Sequence, residues 1–517
     1  MKTKKILYFL LLLGFLSGCD YLDIVPDNLP TLEMAFNNKS SAERFLFTCY
    51  SFVPEHGKIG TDPGMDVGDE VWYYSDNSAD YSNKTTFWIA KGMQNSNEPL
   101  VDYWNGTQWG KAMFVGIRDC NVFIENIDKV PDLSAYDKET WKAEVKVLKA
   151  FYHFWLMRMY GPIPIMKENI PVSADENEVR VVRDKIDDIV AYTVSLIDES
   201  VDYLPLNIQN EAAEMGRITR PAAKAIKAKI LAFAASPFFN GNLDYANFKN
   251  ADGEPFFNQV YDGEKWTKAA EACLDAIQCA EEAGHGLYEF VNMSSTKLSE
   301  ETVLSLTNRC KVTERWNKEL VWGCGQSGIR DLQVLCQPWL ESNYSSDDRY
   351  HNARNGTFAP TLAVAETFYT KNGVPMDEDR SYDYDNRYTT QVATEADKYY
   401  IQPGYTTAKL HFDREPRFYA TLGFDGSSWY GIGKMDDNDM WYLQAKAKQA
   451  SGKRGNTLYS ITGYFAKKLV RYQNAMVPAS IQIETYPFPI IRLADLYLLY
   501  AEALNEAKKD EGTVPED

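Results

Sequence analysis

Trp141-Lys142-Ala143-Glu144-Val145-Lys146-Val147-Leu148-Lys149-Ala150-Phe151-Tyr152-His153-Phe154-Trp155-Leu156-Met157-Arg158-Met159-Tyr160 runs directly into Gly161-Pro162-Ile163-Pro164. Trp141, Val145, Leu148, Tyr152, Trp155, Leu156 and Met159 recur at alternating four- and three-residue steps. That spacing puts them on one stripe of an α-helix. Lys142, Glu144, Lys146 and Lys149 fall off the stripe. Gly161 suits a helix C-cap and Pro162 cannot continue the hydrogen-bond ladder, so the helix stops there.

The pattern extends in both directions. Trp109–Ile127 places Trp109, Met113, Gly116, Ile117, Cys120, Ile124 and Ile127 at helical spacing. The linker 128–137 contains Pro131, so this segment and the next read as an antiparallel helical pair. Asp184–Leu204, Thr219–Ser236 and Trp266–Ala283 read as further helices. Pro221 sits in a first turn, where helices accept proline. Ala269, Ala270, Cys273, Ile277 and Ala280 share one face of the last of these. Small residues at that spacing let two helices approach closely, as in stacked tetratricopeptide hairpins. Insertions of unequal length blur the 34-residue period.

From about Gly286 to Pro487 helical stripes fade and Gly, Asn, Asp and Tyr cluster. Asn317–Gly323 reads as a short strand between turn signals. Pro489–Ala507 returns to helix. The expected fold is mainly α: tetratricopeptide-like helical hairpins over residues 19–285, a loop-rich insertion over 286–487, and the start of a C-terminal helical region over 488–517.

Three lysines within Met1–Lys5 precede the apolar run Ile6–Leu16, which is too short to span a bilayer and reads as a signal-peptide core ending at residue 18. Leu16-Ser17-Gly18-Cys19 resembles the bacterial lipobox, whose cysteine takes a diacylglycerol and becomes the mature N-terminus. The resemblance implies a fatty anchor at Cys19, stable when two or more acyl chains are attached.

Removing the three leader lysines from a net charge of −19 leaves −22. A nucleic-acid partner is disfavoured, since phosphate binding needs a basic footprint. Seven cysteines beyond Cys19 are too few for a disulfide scaffold, and most read as buried free thiols. The histidines lie at least sixty residues apart, which leaves no local metal-binding spacing. Asp436-Asp437-Asn438-Asp439 lacks the glycine and terminal glutamate of an EF-hand loop and reads as a solvated acidic turn. No phosphate loop or Gly-x-Ser-x-Gly elbow is present. No cofactor and no metal are expected.

Twelve tryptophans and 33 tyrosines exceed what a core requires. Aromatic faces set among amides and carboxylates suit sugar rings, which stack on one side and hydrogen-bond at their edges. The stretch 66–109 has that mixture: Asp69, Trp72, Tyr73, Tyr74, Asn77, Trp88 and Trp104 are its candidate contacts. Trp339 and Tyr344 form a second pair, and Trp429-Tyr430 reads more as a packed loop than as a contact.

These segments, in this order, resemble the SusD/RagB family of surface lipoproteins of Bacteroidetes. Cys19-Asp20-Tyr21-Leu22-Asp23 is similar to the family's lipidated start, and Glu144–Pro164 to its helix running into a Gly-x-x-Pro turn. Gly216-Arg217-Ile218-Thr219-Arg220, Asp413-Arg414-Glu415-Pro416-Arg417-Phe418 and Arg492–Asn505 follow the same pattern. The resemblance implies a non-enzymatic glycan-binding lipoprotein at the outer membrane, facing the cell exterior. It also implies that oligosaccharides pass to a SusC-type TonB-dependent β-barrel transporter. A surface-tethered glycoside hydrolase, or a lid for peptide cargo, is the alternative. Family members continue past the last helix, so this chain, ending at Asp517, is expected to stop short of their C-terminal region.

Overall fold

The computed structural model describes residues 32–73, 85–292, 297–325, 327–340, 355–455, 458–477 and 480–511. Its longer helices are α1 (Lys39–Tyr50), α2 (Met113–Asn126), α3 (Ala135–Tyr160), α4 (Ile186–Asp198), α5 (Arg220–Ala235), α6 (Glu264–Glu282), α7 (Glu300–Thr313), α8 (Ile329–Cys336) and α9 (Leu493–Glu511). Short antiparallel pairs join β1 (Val71–Tyr73), β2 (Leu320–Cys324), β3 (Phe358–Pro360), β4 (Thr390–Val392), β5 (Thr406–Ala408) and β6 (Phe488–Arg492) as β1–β3, β2–β6 and β4–β5. The mainly helical expectation holds.

The α3 helix organises the first half. Ser134 caps it by accepting from the Asp137 N–H, which draws part of the expected linker into the helix. Gly161 closes it with φ near 69°, its N–H still donating to Met157 O. The predicted stripe is buried from Trp141 to Leu156 and half-buried at Met159, but Val147, Ala150, Phe151 and Phe154 on other faces are buried too. Because α2 packs on one side of α3 and α4 on another, Glu144 and Lys149 are interior rather than solvated. Each is partnered: Glu144 by Arg217, and Lys149 through Nζ donating to Lys167 O at 2.6 Å.

The α5–α6 hairpin shows what the small residues do. Thr219 caps α5 by accepting from the Ala222 N–H, and Ala222, Ala225 and Ala228 face a partner carrying Ala269, Cys273 and Ala276. The α9 helix then packs on α6. These helices, β2 and the start of α9 enclose the largest apolar core.

Two readings need correction. Residues 488–492 are strand, not helix: β6 pairs with β2 in the register Phe488↔Cys324 and Arg492↔Leu320, and α9 begins only at Leu493. Ladder pairing overrides the local helical pattern. The loop-rich stretch also contains α7, whose buried positions Thr302, Arg309 and Thr313 blur its apolar stripe, and α8, whose stripe of Ile329, Leu332, Leu335 and Cys336 spans only two turns. Arg309 is fully buried, donating to Val470 O (2.8 Å) and Tyr430 O (2.9 Å). Cys49, Cys120, Cys273, Cys279, Cys310 and Cys336 are buried free thiols, as expected for most of the seven.

Candidate functional site

A second apolar cluster, containing Tyr73, Phe87, Leu340, Phe358, Trp429 and Phe465, lies beneath the β1–β3 pair. β1 and β3 run antiparallel with Trp72 opposite Ala359, and the Thr361 hydroxyl and N–H fasten the next turn to Asp69 O and Glu70 O. Three residues before β3, Asn355 is fully buried in a left-handed backbone conformation with φ near 50°. Its side-chain oxygen accepts from the Trp339 N–H (3.0 Å), while its amide donates to Ser451 O and Leu458 O (both 3.2 Å). Asparagine tolerates that conformation better than most residues. It thereby ties Trp339 to the unit that carries Trp72. Segments more than 260 residues apart in sequence are brought together.

Within this unit Asp69 is exposed, Trp72 and Trp339 are half-buried, and Tyr73 is buried. Trp72 meets Phe87 edge-on at 6.1 Å, and Tyr73 packs at 5.4 Å on the same ring. Tyr73 therefore supports the unit from below. Trp88, next to Phe87 in the short helix Thr85–Ala90, is exposed, with the Lys91 ammonium 5.6 Å from its ring. The Arg454 guanidinium stands 5.7 Å from the Trp339 ring. Cys19, Tyr74, Asn77 and Tyr344 lie outside the described residues.

Trp104 belongs elsewhere. It packs against Phe114 (4.8 Å), Tyr160 (5.5 Å) and the Arg183 guanidinium (5.1 Å), at the edge of the helical core. Its loop turns on Asp102, whose carboxylate accepts from the Trp104 and Asn105 N–H groups, the Asn105 amide and the Thr107 hydroxyl. Desolvation pushes the Asp102 carboxyl up, but these hydrogen bonds outweigh it and hold the group below its usual range. The loop closes tightly at Gly110, where a Cβ would sit 2.2 Å from Asp102 O.

That closure exposes a ring the spacing argument misplaced. Trp109 was expected on the stripe of α2, yet α2 starts at Met113 and Trp109 is 69% exposed with φ near 71°. The signal that could have found it is Gly106 and Gly110, which bracket a tight turn rather than a helix start.

Trp429 is fully buried, with the Arg309 guanidinium 5.4 Å and Lys467 Nζ 5.8 Å from its ring, and Tyr430 is buried beside it. The packed-loop reading of that pair fits. The Asp436–Asp439 turn is less solvated than expected. Asp437 is buried and accepts from the Ser299 N–H at 2.7 Å, which joins the turn to the start of α7. Among the described residues there is no group of three or more His, Cys, Asp or Glu able to hold a metal ion. Among them, too, no helix is long and apolar enough to cross a membrane.

The comparisons with known proteins agree with this architecture. Residues 331–515 match the SusD family, and residues 20–231 match the family described as starch-binding associating with outer membrane. The SusD-like protein P25 of Formosa agariphila is 22% identical over 240 residues, 44% of this chain and 43% of that protein, so the match spans less than half of the relative's length. The solved structure of BT4246 superposes with a TM-score of 0.74 at 25% identity, covering 93% of this chain and 83% of that one. A SusD-like protein from Bacteroides fragilis, BF3747, shares the fold with a TM-score of 0.64 at 17% identity, over 92% of this chain and 77% of its own. Two matches to SusD-type families account for both ends of the sequence, the long helical hairpins and the β2–β6 closure fit the same fold, and the protein belongs to the SusD family.

Proposed function

We propose that this protein is a non-catalytic glycan receptor, anchored to the outer membrane through lipid on Cys19 and facing the cell exterior. The observation that carries this reading is the match of residues 20–231 to a starch-binding, outer-membrane-associating family. The β1–β3 unit that gathers Asp69, Trp72 and Trp339 adds to it. Half-buried indoles on a braced backbone offer flat faces to pyranose rings at little entropic cost. The strong negative charge favours neutral over anionic polysaccharides.

In this reading the ligand is held on the aromatic face and passed to a SusC-type TonB-dependent β-barrel, with the helical hairpins free to grip that partner. Affinity electrophoresis through gels containing a panel of polysaccharides tests it. Retention without release of reducing ends is the expected result. Release of reducing ends would make the protein a hydrolase, and copurification without a β-barrel would remove the transporter from the picture.

A further inference from the structure

Asp413-Arg414-Glu415-Pro416-Arg417-Phe418 has no part in the aromatic face, yet it builds something. Arg414 is buried and donates to four carbonyls: Leu410 (2.9 Å), Ala365 (2.8 Å), Phe368 (2.6 Å) and Tyr369 (3.3 Å). It clamps residues 365–369 against residues 410–414. The residue before it, Asp413, is held in a left-handed conformation with φ near 54°, which aspartate tolerates better than most residues. Its backbone oxygen accepts from the Lys371 N–H and its carboxylate from the Lys371 ammonium, both at 2.8 Å.

Asp413 borders a cavity of about 550 Å³, within the size range of small-molecule sites. Its lining is unlike that of an apolar pocket. Phe412, Thr370 and Tyr382 are among its lining residues, and Asn372, Asp379, Asp383 and Gln391 add amides and carboxylates. These groups are pre-set. Asp379 accepts from the Thr370 hydroxyl (2.5 Å), the Asn372 amide (2.9 Å) and both the N–H and hydroxyl of Ser381. Asp383 is fixed by Lys409 and by the Asn386 amide.

The charge pattern narrows the ligand. Lys371 and Lys409 each hold an aspartate, so an anion would have to displace a carboxylate from its ammonium. The aspartates are likewise taken up by lysines, hydroxyls and amides, which disfavours a metal ion. What remains is the unused lone pairs and N–H groups of these braced carboxylates, ammoniums and amides, with the Gln391 amide and the Tyr382 ring among the lining, a set that suits a neutral polyhydroxylated ring. We propose that this cavity is a second, non-tryptophan subsite for a neutral sugar unit, resting on the glycan-receptor reading above but independent of the Trp72–Trp339 face.

The test uses the full chain in a detergent without a sugar headgroup, and reads saturation-transfer NMR with glucose, galactose, mannose, xylose and N-acetylglucosamine. At least one sugar should give signal, and Asn372→Leu with Gln391→Leu should weaken it by about fivefold or more, the effect of losing one or two hydrogen bonds, while Trp72→Ala with Trp339→Ala leaves it within about twofold. Lys371→Met, at an exposed side chain, gives the same loss without a threat to folding. Absence of signal with every sugar, indifference to the polar substitutions, or loss in the tryptophan variant overturns the subsite. Failure of the receptor reading shows separately, as absence of retention in polysaccharide gels by the unaltered protein.

Discussion

Arg217 holds Glu144 with two parallel hydrogen bonds, Nη2 to Oε1 at 2.6 Å and Nε to Oε2 at 3.0 Å, in a setting where both side chains are almost entirely buried. Tyr50 Oη donates to the same carboxylate at 2.5 Å and accepts from the Ile218 N–H at 2.8 Å. Three distant pieces, α1, α3 and the turn leading into α5, therefore meet on one ion pair. Next to it, Gly216 O accepts from Trp322 Nε1 at 3.1 Å, which fastens β2 to the same point.

Breaking that pair from one side leaves the buried guanidinium with only the partly exposed Glu214, 2.5 Å from Nη1, as counter-charge, and takes the acceptor from Tyr50 Oη. Glu144→Ala should destabilise the protein by about 3–5 kcal/mol. The exposed Lys185–Glu254 pair is the control, since Glu254→Ala should cost about 1 kcal/mol or less. Urea unfolding of the two variants checks the contrast, and equal midpoints would show that the buried pair is not a structural junction.

Histidine burial sets a second expectation. His153 Nδ1 donates to Lys149 O (2.8 Å) and Nε2 accepts from the Met166 N–H (3.2 Å), so the ring is held neutral. Burial lowers its pKa to about 4, and burial also lowers that of His411, to about 3. The unfolded chain, with histidines near 6.5, takes up these protons first as pH falls. Stability is thus complete above about pH 6.5 and declines towards pH 4, by up to about 1.4 kcal/mol per histidine for each pH unit crossed. Denaturation midpoints at pH 7.5 and pH 5 should differ accordingly, and His153→Gln should flatten the difference. A midpoint unchanged over this range would contradict the neutral, buried ring.

The helical scaffold was legible because its apolar residues repeat at the period of a helix facing one core. Trp141, Val145, Leu148 and Tyr152 are buried where the spacing put them. Glu144 and Lys149 lie off the stripe and are buried all the same, because polarity predicts exposure only until a partner is supplied, and Arg217, 73 residues from Glu144, is invisible to local pattern. The α7 helix was missed for the same reason. Its buried face includes Thr302 and Thr313, bonded locally to the Ser299 hydroxyl and Arg309 O, and Arg309, whose carbonyl partners Val470 O and Tyr430 O lie more than 120 residues along the chain. The aromatic face was legible in kind, since rings among amides stood out, but not in geometry. Nothing in the sequence says that Asn355 carries Trp339 to the β1–β3 unit.

Trp109, on the loop that turns on Asp102, is a separate candidate contact. A ring this exposed makes little contribution to folding, so Trp109→Ala should leave stability within about 0.5 kcal/mol. Reduced retention in polysaccharide gels would enrol it among the contacts, and unchanged mobility would make it an ordinary surface residue.

The anchor has its own test. If Cys19 carries lipid, labelled palmitate enters the protein, and Cys19→Ala abolishes both the label and membrane association. Two acyl chains bind far more firmly than one, so the loss should be near complete rather than partial. A Cys19→Ala protein that stays with the membrane fraction would require another means of attachment.

The sharpest separation of contact from core is Trp339 against Trp429. Both are indoles beside an arginine, with Arg454 5.7 Å from the first ring and Arg309 5.4 Å from the second. Trp429 is fully buried under the β1–β3 unit, so Trp429→Ala opens a large cavity and should cost about 3–5 kcal/mol. Trp339 is half-buried and its backbone, not its ring, is what Asn355 and Ser451 hold. Trp339→Ala should therefore lower glycan retention while shifting the melting temperature little, and Asn355→Ala should lower both by releasing the segment. Should Trp339→Ala unfold the protein as readily as Trp429→Ala, the ring is core and the binding face must be sought at Trp72, Trp88 and Trp109.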